Sequence, residues 1–392
     1  MNKPLKILMV LHMPWDRNLG GSRVQLELAD EFQSMGHEVT KFDYNDAFSP
    51  ENTSFIEKFS RPIFSSQAKS FVQKTSHNFD IIDAHQGNLP FSKQELKIKG
   101  LLVARSVGLY AFYEKFALME KTKWPPKRKR TRIKNWLMSL QPNQESDRCF
   151  RSFQTCDIIN LPNHDELTYV RNVMGFGQKS AVFPFGISQK RQQAFAQTIQ
   201  PAALRLNNKQ VVFIGTWTPR KGARDWAEII RRTKTAVPEA RFLFLGTGFS
   251  AKTVLADLEL SAYDWIKIIP NFDSEELPNL LSGATVGAFP SYIEGFGFAV
   301  LEKLACGLPT VVYDVPGPRE MLGYLDKSWM VPTGDIELFT NQLIKVLKMD
   351  EITYSKISEN CVEVAQKFGW DRIAKNTLDL YCEVLEKHNY FN

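Results

Sequence analysis

Short apolar runs alternate with amphipathic helical stretches along most of this chain, and the alternation limits the folds available to it. The apolar runs are typical of buried strands, because a strand covered on both faces carries few polar residues. Strands separated by helices form parallel sheets. The pattern therefore predicts an α/β fold. The predicted strands cover residues 7–11, 38–42, 81–85, 101–105, 158–161, 181–185, 211–215, 242–246, 266–269, 286–290 and 310–313.

The predicted strands form two sets, separated by a Gln- and Ala-rich stretch with no strand pattern at residues 188–210. We predict two Rossmann-like domains, residues 1–187 and 211–371, whose parallel sheets face each other across a cleft. Residues 188–210 are the predicted linker, and a last helix at about 372–392 is expected to pack back on the first domain. A chain of 392 residues suits this division, since a domain has about 150 residues.

Composition excludes several classes of protein. Apolar residues make up 43% and charged residues 23% of the chain, as in a soluble globular protein. No window approaches the roughly 18 consecutive apolar residues of a membrane-spanning helix. The apolar run after Lys6 ends at His12 and Pro14, which predicts a first strand rather than a signal peptide. The five cysteines lack Cys-x-x-Cys spacing, so we expect no disulfide framework, no zinc site and a cytoplasmic location.

Two glycine-containing loops follow predicted strands. Gly20 and Gly21 precede a helix that Ser22 is predicted to cap, and such a loop either exposes backbone N–H groups to a diphosphate or is a flexible turn. The second loop runs from Gly215 through Thr216 to Gly222. It places Arg220 and Lys221 where a helix is predicted to begin, a position that is unfavourable for cations unless an anion binds there. A solvated pair of cations is the alternative.

A third loop carries two carboxylates. Glu294 follows a predicted strand between Ser291 and the Gly295-Phe296-Gly297 turn, and Glu302 lies about one turn into the next helix. Both carboxylates can accept hydrogen bonds from vicinal hydroxyls, the groups that a sugar or ribose presents. The alternative is one Glu in a turn and another on a helix surface.

These segments resemble the group 1 glycosyltransferases (glycosyltransferase family 4), retaining enzymes with the GT-B fold. The strongest likeness is the pair of glutamates separated by seven residues after Pro290-Ser291. Further matching segments are residues 20–21, 185–187, 215 with 221–222, 305–312, 331–335 and 368–371. Together they extend over nearly the whole chain and are most specific in its last third.

The resemblance implies a hexosyltransferase-type enzyme that moves a sugar from a nucleotide-diphosphate sugar to a glycan, glycolipid or other hydroxyl acceptor. It implies retention at the anomeric carbon, no metal and no cofactor, in the synthesis of surface polysaccharide or glycolipid. Glu294, Lys221 and Arg220 would be the catalytic residues. The residues expected to bind the donor are Gly20, Gly21, Gly215, Thr216, Asn271, Phe272, Ser291, Gly295, Phe296, Gly297 and Glu302.

Three positions depart from the family pattern. Thr216 stands where the family has its phosphate-binding arginine, Val107 where it often has a histidine, and Pro318 where it has a second glycine. These departures motivate a second hypothesis, a non-catalytic GT-B protein that binds nucleotide sugars or glycans. His85 and Arg105 are candidate acceptor-side residues that would serve near Val107.

A basic segment at residues 121–137 contains eight Lys or Arg between Lys121 and Lys134, with no acidic residue among them. With Trp124 and Trp136 it is compatible with peripheral docking on an anionic membrane surface, with binding of a phosphate-bearing acceptor, or with a solvated surface. Nucleic-acid binding is not expected, since the net charge is only +6 and no binding motif is present.

Overall fold

The computed structural model describes residues 3–48, 62–125 and 144–390. These residues form two compact units. The first unit comprises the described residues up to Pro184 and from Trp370 onward, and the second unit is Phe185–Gly369. Each unit contains a six-stranded sheet in which all neighbouring strands are parallel. The α/β prediction is therefore confirmed.

The sheet of the first unit has the strand order β2-β1-β3-β4-β5-β6. Strand β1 lies between β2 and β3, with Ile7 opposite both Val39 and Ile81. The last four residues of β1 are fully buried, which explains their continuous apolar run. The strands are β1 Lys6–Val10, β2 Glu38–Phe42, β3 Ile81–His85, β4 Leu101–Arg105, β5 Ile158–Leu161 and β6 Ser180–Val182.

Helices connect these strands, as parallel pairing requires. The helices of the first unit before the second begins are α1 Gly20–Ser34, α2 Tyr44–Ala47, α3 Pro62–Thr75, α4 Lys93–Leu96, α5 Tyr110–Lys123, α6 Gln144–Thr155 and α7 His164–Asn172. The helix that ends the described chain, which is numbered α17 below, also belongs to this unit.

The sheet of the second unit has the order β12-β11-β10-β7-β8-β9. Its strands are β7 Gln210–Ile214, β8 Arg241–Leu245, β9 Ile266–Ile269, β10 Val286–Phe289, β11 Thr310–Tyr313 and β12 Met330–Val331. Its helices are α8 Gln189–Thr198, α9 Ala202–Asn208, α10 Trp226–Ala236, α11 Ala251–Asp257, α12 Leu277–Leu281, α13 Phe298–Ala305, α14 Pro316–Leu322, α15 Ile336–Leu347 and α16 Glu351–Gln366.

The strand order reverses once in each sheet. In the first unit the reversal lies between β1 and β3, and in the second between β7 and β10. The loops that leave the two strands at a reversal run in opposite directions, which opens a crevice at the carboxyl ends of the strands. In the second unit this position is occupied by the loops that follow β7 and β10.

All eleven predicted strands are present, and each begins within one residue of the predicted position. The predicted strand at 181–185 is shorter in the structure, where β6 ends at Val182. The two-residue strand β12 was not predicted, because a strand of that length leaves no periodic pattern.

The stretch 188–210 is not a linker. It forms α8 and α9, which pack on other helices of the second unit and bury Phe195 and Leu206. Ala and Gln are good helix formers, so the composition that suggested a linker suits these two helices as well. The helix α17 Trp370–Tyr390 packs on α1 in the first unit.

Within the described ranges, no helix has both the length and the apolar character needed to cross a membrane. Of the basic segment, residues 126–137 lie outside the described residues. Lys121 and Lys123 lie in the last turn of α5.

Candidate functional site

An ion pair joins the two loops at the reversal point of the second sheet. Lys221, from the loop after β7, donates a hydrogen bond through Nζ to Oε2 of Glu294, from the loop after β10. Arg220 Nη1 lies 3.8 Å from the same oxygen. The side chains of Lys221 and Glu294 are only 13% and 15% exposed. The structure thus brings together the three residues that were predicted to be catalytic.

Charge pairing sets the electrostatics of this group. Burial opposes ionisation of Glu294, but the adjacent Lys221 and Arg220 outweigh it and hold the pKa of the carboxyl below its usual value. Burial lowers the pKa of Lys221, and Glu294 acts in the opposite direction. The Lys221 ammonium also lies 5.0 Å from the ring centroid of Phe289, within reach of a cation–π interaction.

The loop after β7 differs in one respect from the prediction. Arg220 and Lys221 lie in a 3-10 turn, Pro219–Lys221, and α10 begins only at Trp226. The two cations are therefore not in the first turn of an α-helix. Glu294 places one negative charge beside the two cations, so the structure itself supplies an anion at this position.

Glycines allow the close approach of the two loops. Gly222 has φ +81°, and a Cβ atom there would lie 2.2 Å from the carbonyl oxygen of Pro290. Gly215 has φ +151°, and a Cβ there would be 3.6 Å from Cδ of Lys221. A side chain at Gly222 would displace the loops that hold Lys221 and Glu294, whereas at Gly215 the backbone conformation alone disfavours one.

The second glutamate of the motif has a partner that the sequence did not reveal. Arg191 of α8 donates to Oε1 of Glu302 from Nη2 at 2.8 Å and from Nε at 3.1 Å. It also donates to the carbonyl of Ser274 at 3.0 Å. Both side chains of the pair are at most 10% exposed. Arg191 lies in the predicted linker, and only the folding of that stretch into a helix places it beside Glu302.

The turn between β10 and α13 is buried. Ser291 has a fully buried hydroxyl with no hydrogen-bond partner among the described residues. The Gly295 N–H donates to the carboxylate of Glu294. Gly297, at φ +94°, is the N-cap of α13. Phe296 packs its ring against Phe185, with 5.2 Å between the ring centroids.

The remaining predicted donor residues of the second unit follow the neighbouring strands. Phe272, after β9, approaches Gly246 after β8, where a Cβ atom would be 3.1 Å from its ring. Thr216, after β7, is exposed near Gly248, and Asn271 is exposed. All these residues lie at the carboxyl ends of the strands.

The glycine pair of the first unit does not form a loop. Gly20 and Gly21 are the first two residues of α1, whose N-cap is Leu19. The predicted cap Ser22 is inside the helix, where its hydroxyl donates to the carbonyl of Pro14 at 2.6 Å. A Cβ at Gly21 would lie 2.4 Å from the Met13 Cε, so the absence of a side chain at Gly21 makes room for Met13.

The two predicted acceptor-side residues have different surroundings. Arg105 is buried and donates from Nη2 to Asp83 at 2.6 Å and to the Tyr381 hydroxyl at 3.0 Å, so it ties α17 to the sheet. His85 is also buried, and its Nδ1–H donates to the Gln86 carbonyl at 3.1 Å. Burial first, and then the neighbouring His12, hold the pKa of His85 well below its usual value.

A buried carboxylate that sequence reasoning missed holds the loop around Val107. Glu166 of α7 accepts hydrogen bonds from the Ser106 hydroxyl at 2.7 Å and from the Leu109 N–H at 3.1 Å. Burial raises its pKa to about 7, against the effect of these hydrogen bonds. One local signal could have identified Glu166. It lies three residues after Asn163, the N-cap of α7, whose side-chain oxygen accepts a hydrogen bond from the Glu166 N–H.

The described ranges contain no group of three or more His, Cys, Asp or Glu side chains arranged to hold a metal ion. The five cysteines are free thiols, four of them buried.

The sequence is similar to that of a known protein family and of several characterised proteins. Residues 195–367 match the family described as glycosyl transferases group 1. The D-inositol 3-phosphate glycosyltransferase of Saccharomonospora viridis is 33% identical over 142 residues, 36% of this chain and 33% of that protein. The UDP-Gal:alpha-D-GlcNAc-diphosphoundecaprenol alpha-1,3-galactosyltransferase of Escherichia coli is 23% identical over 241 residues, 59% of this chain and 61% of that protein. The chain thus spans less than two thirds of either relative.

The solved structure of sucrose-phosphate synthase from Thermosynechococcus elongatus aligns with a TM-score of 0.74 at 18% identity. The alignment covers 97% of this chain and 100% of that one. At this identity the likeness shows the fold, and it confirms the predicted GT-B fold.

Proposed function

Since residues 195–367 of this chain match the group 1 glycosyl transferases, we propose that the protein transfers a sugar from a nucleoside-diphosphate sugar to a hydroxyl group of a glycan or lipid-linked acceptor. The observation that carries the proposal is the Lys221–Glu294 pair with Arg220 beside it, at the reversal point of the second sheet. This is the position at which open parallel sheets bind their ligands.

The pair suits both halves of a sugar donor. Departure of a nucleoside diphosphate builds negative charge on its phosphate oxygens, and preorganised cations that lie there stabilise that charge. Lys221 and Arg220 would take this role. Glu294 would then exchange its ion-pair contacts with these cations for hydrogen bonds from sugar hydroxyls, which orients the anomeric carbon for transfer. Because side-chain cations compensate the diphosphate, the proposed reaction needs no metal.

Glu302 would accept hydrogen bonds from the ribose hydroxyls, with Arg191 holding its carboxylate in place. The buried turn from Ser291 to Gly297 offers backbone N–H groups to the sugar. By the resemblance, transfer proceeds with retention at the anomeric carbon.

The acceptor is proposed from the relatives. The E. coli relative is named for transfer of galactose to GlcNAc on diphosphoundecaprenol. We therefore place the proposed activity in the synthesis of surface polysaccharide or glycolipid, at the cytoplasmic face of a membrane. The basic segment 121–137 would provide peripheral attachment, at about 1 kcal/mol per cation near an anionic surface.

Thermal unfolding with a panel of nucleoside diphosphates and nucleotide sugars tests the proposal first. A ligand present at 100 times its dissociation constant stabilises the folded chain by about 2.7 kcal/mol, a readily measured shift in Tm. We expect a shift with donors of one base. If no member of a panel of uridine, guanosine, adenosine and thymidine compounds shifts the Tm, the donor site assigned here is wrong.

A second candidate is a GT-B protein that binds a nucleotide sugar without transferring it. Thr216 favours this candidate, because it is a neutral residue where the family has a phosphate-binding arginine. Binding of a donor without hydrolysis or transfer to any acceptor would support it. Donor hydrolysis that is lost in Glu294→Gln would support the enzyme.

A further inference from the structure

A second lysine lies behind the proposed donor site. Lys303 follows Glu302 in α13 and is fully buried. Its Nζ donates to the carbonyl oxygen of Ala288 in β10 at 3.0 Å. A Cβ at Gly287, the preceding residue of the strand, would lie 2.7 Å from Cδ of Lys303. The absence of a side chain at Gly287 thus makes room for the lysine against the sheet.

The ammonium of Lys303 has no carboxylate partner among the residues that the structure describes, since none lies within 4.0 Å of Nζ. The neighbouring Glu302 pairs with Arg191 instead. A buried ammonium whose acceptor is a neutral carbonyl has lost its hydration without gaining a counter-charge, and this disfavours the charged form.

The ammonium groups of Lys303 and Lys221 both lie close to the ring of Phe289. The two Nζ atoms lie 5.4 Å and 5.0 Å from the centroid of Phe289. The positive charge of Lys221 adds to the cost of a second charge at Lys303. Phe289 is the last residue of β10, so both ammonium groups lie at the carboxyl end of the strand that leads to Glu294.

The charged and titratable groups around Lys303 come from several elements. Lys221, in the loop after β7, repels the Lys303 ammonium and is itself close to Glu294 and Arg220. Glu302, in the same helix as Lys303, attracts the ammonium and is paired with Arg191 of α8. Helix α16 packs on α13 and carries Tyr354 and Cys361, whose pKa values burial raises, so both are neutral at pH 8. Strand β11 contributes the neutral hydroxyl of Thr310. Burial first, and Lys221 second, lower the pKa of Lys303 to about 7, with Glu302 opposing.

We propose that Lys303 takes up a proton when a nucleoside diphosphate occupies the Lys221 site, so that donor binding is coupled to protonation of this lysine. The inference rests on the proposed function, because it requires a diphosphate at Lys221. A bound diphosphate brings several negative charges close to Phe289 and neutralises the repulsion from Lys221. Both effects favour the ammonium form of Lys303, and by linkage nucleotide affinity then falls as the pH rises above 7.

Isothermal titration calorimetry at pH 8 in HEPES and in Tris tests the inference, because the two buffers differ in ionisation enthalpy. The titrant is whichever of UDP, GDP, ADP and dTDP shifts the Tm in the panel. We expect the wild-type chain to take up more than about half a proton per nucleotide. Two variants should take up much less: Lys303→Met, which cannot be charged, and Lys303→Arg, which stays charged.

The outcomes separate the two proposals. Nucleotide binding with the same enthalpy in both buffers, or with the same proton uptake in all three proteins, rejects the role of Lys303 and leaves the proposed function standing. If none of the four nucleotides binds, both proposals fall. Because the wild-type titration alone reveals proton uptake, the inference can be rejected even if a variant does not fold.

Discussion

Lys221 and Glu294 lie 73 residues apart in sequence and form an ion pair at the point where the strand order of the second sheet reverses. Each side chain balances the other while no ligand is bound. In the proposed function a nucleoside-diphosphate sugar would separate them, because its diphosphate would pair with the lysine and its hydroxyls with the carboxylate. Substitutions here should therefore affect both stability and activity, and the two effects can be told apart.

Glu294→Gln and Lys221→Met are each expected to reduce sugar transfer by about 100-fold or more, as for the loss of one preorganised charge at a reacting centre. Each single variant also removes one member of this buried ion pair and lowers the Tm. The double variant should recover Tm without recovering activity. Exposed Glu239→Gln and Lys252→Met are matched controls from the same unit. Full donor hydrolysis in both single variants would falsify the site assignment.

Arg191→Met should destabilise the second unit by about 3–5 kcal/mol, because it removes the guanidinium that pairs with the buried Glu302 carboxylate. The variant should also raise the KM for the donor, since Glu302 is no longer held in place. Chemical denaturation measures the first effect and donor titration the second. Adding Glu302→Gln to Arg191→Met should restore part of the stability. If Arg191→Met alone leaves both stability and KM unchanged, the pair is not important in solution.

Gly222→Ala should lower the free energy of unfolding by at least about 2 kcal/mol, because φ +81° is unfavourable for alanine and its Cβ would meet the Pro290 carbonyl. Gly20→Ala is the control. Gly20 is exposed in the first turn of α1 with no atom near its Cβ position, so alanine there should be neutral or stabilising. Denaturant midpoints measured side by side check the contrast. Equal midpoints for the two variants would contradict it.

Glu166 should make stability depend on pH. Burial raises its pKa to about 7 in the folded chain, above the value of about 4.3 in an unfolded one. The native state therefore holds the proton more tightly, and this contribution is complete below about pH 4.3 and is lost as the pH rises through 7.

Removing the titrating group should remove that dependence. Glu166→Gln is expected to gain stability relative to the wild type as the pH is raised from 5 to 8. Denaturation at several pH values, with Glu239→Gln as the control, measures the difference. A constant difference across this range would show that Glu166 is ionised in both states.

Some features of the fold followed from local patterns. The fully buried runs Ile7 to Val10 and Val311 to Tyr313 are apolar, as expected of strands covered on both faces, so the runs alone located these strands. The Glu294 and Glu302 motif was equally visible, since its spacing and glycines are local. Local patterns also misled at Ser22, which resembles a helix cap but lies within α1 and donates to Pro14.

Other features depended on distant residues. Arg191 and Glu302 are 111 residues apart, and nothing in the stretch 188–210 marks Arg191 as a partner for a buried carboxylate. In the sequence Lys303 looks like an ordinary helix lysine, and only the packing of α13 against β10 shows that it is buried. In the sequence Arg105 is a candidate for acceptor binding, but in the structure its guanidinium donates to Asp83 and Tyr381.

The sequence by itself determined the α/β class, the positions of all strands but β12, and the resemblance to a family, because apolar runs, helix periodicity and short motifs are properties of neighbouring residues. The tertiary structure alone decided which charges meet. The order β10-β7 places Lys221 beside Glu294, and the packing of α13 on the sheet buries Lys303 behind them. Electrostatic pairing and desolvation depend on distances in space, and those distances arise only when strands far apart in the chain become neighbours.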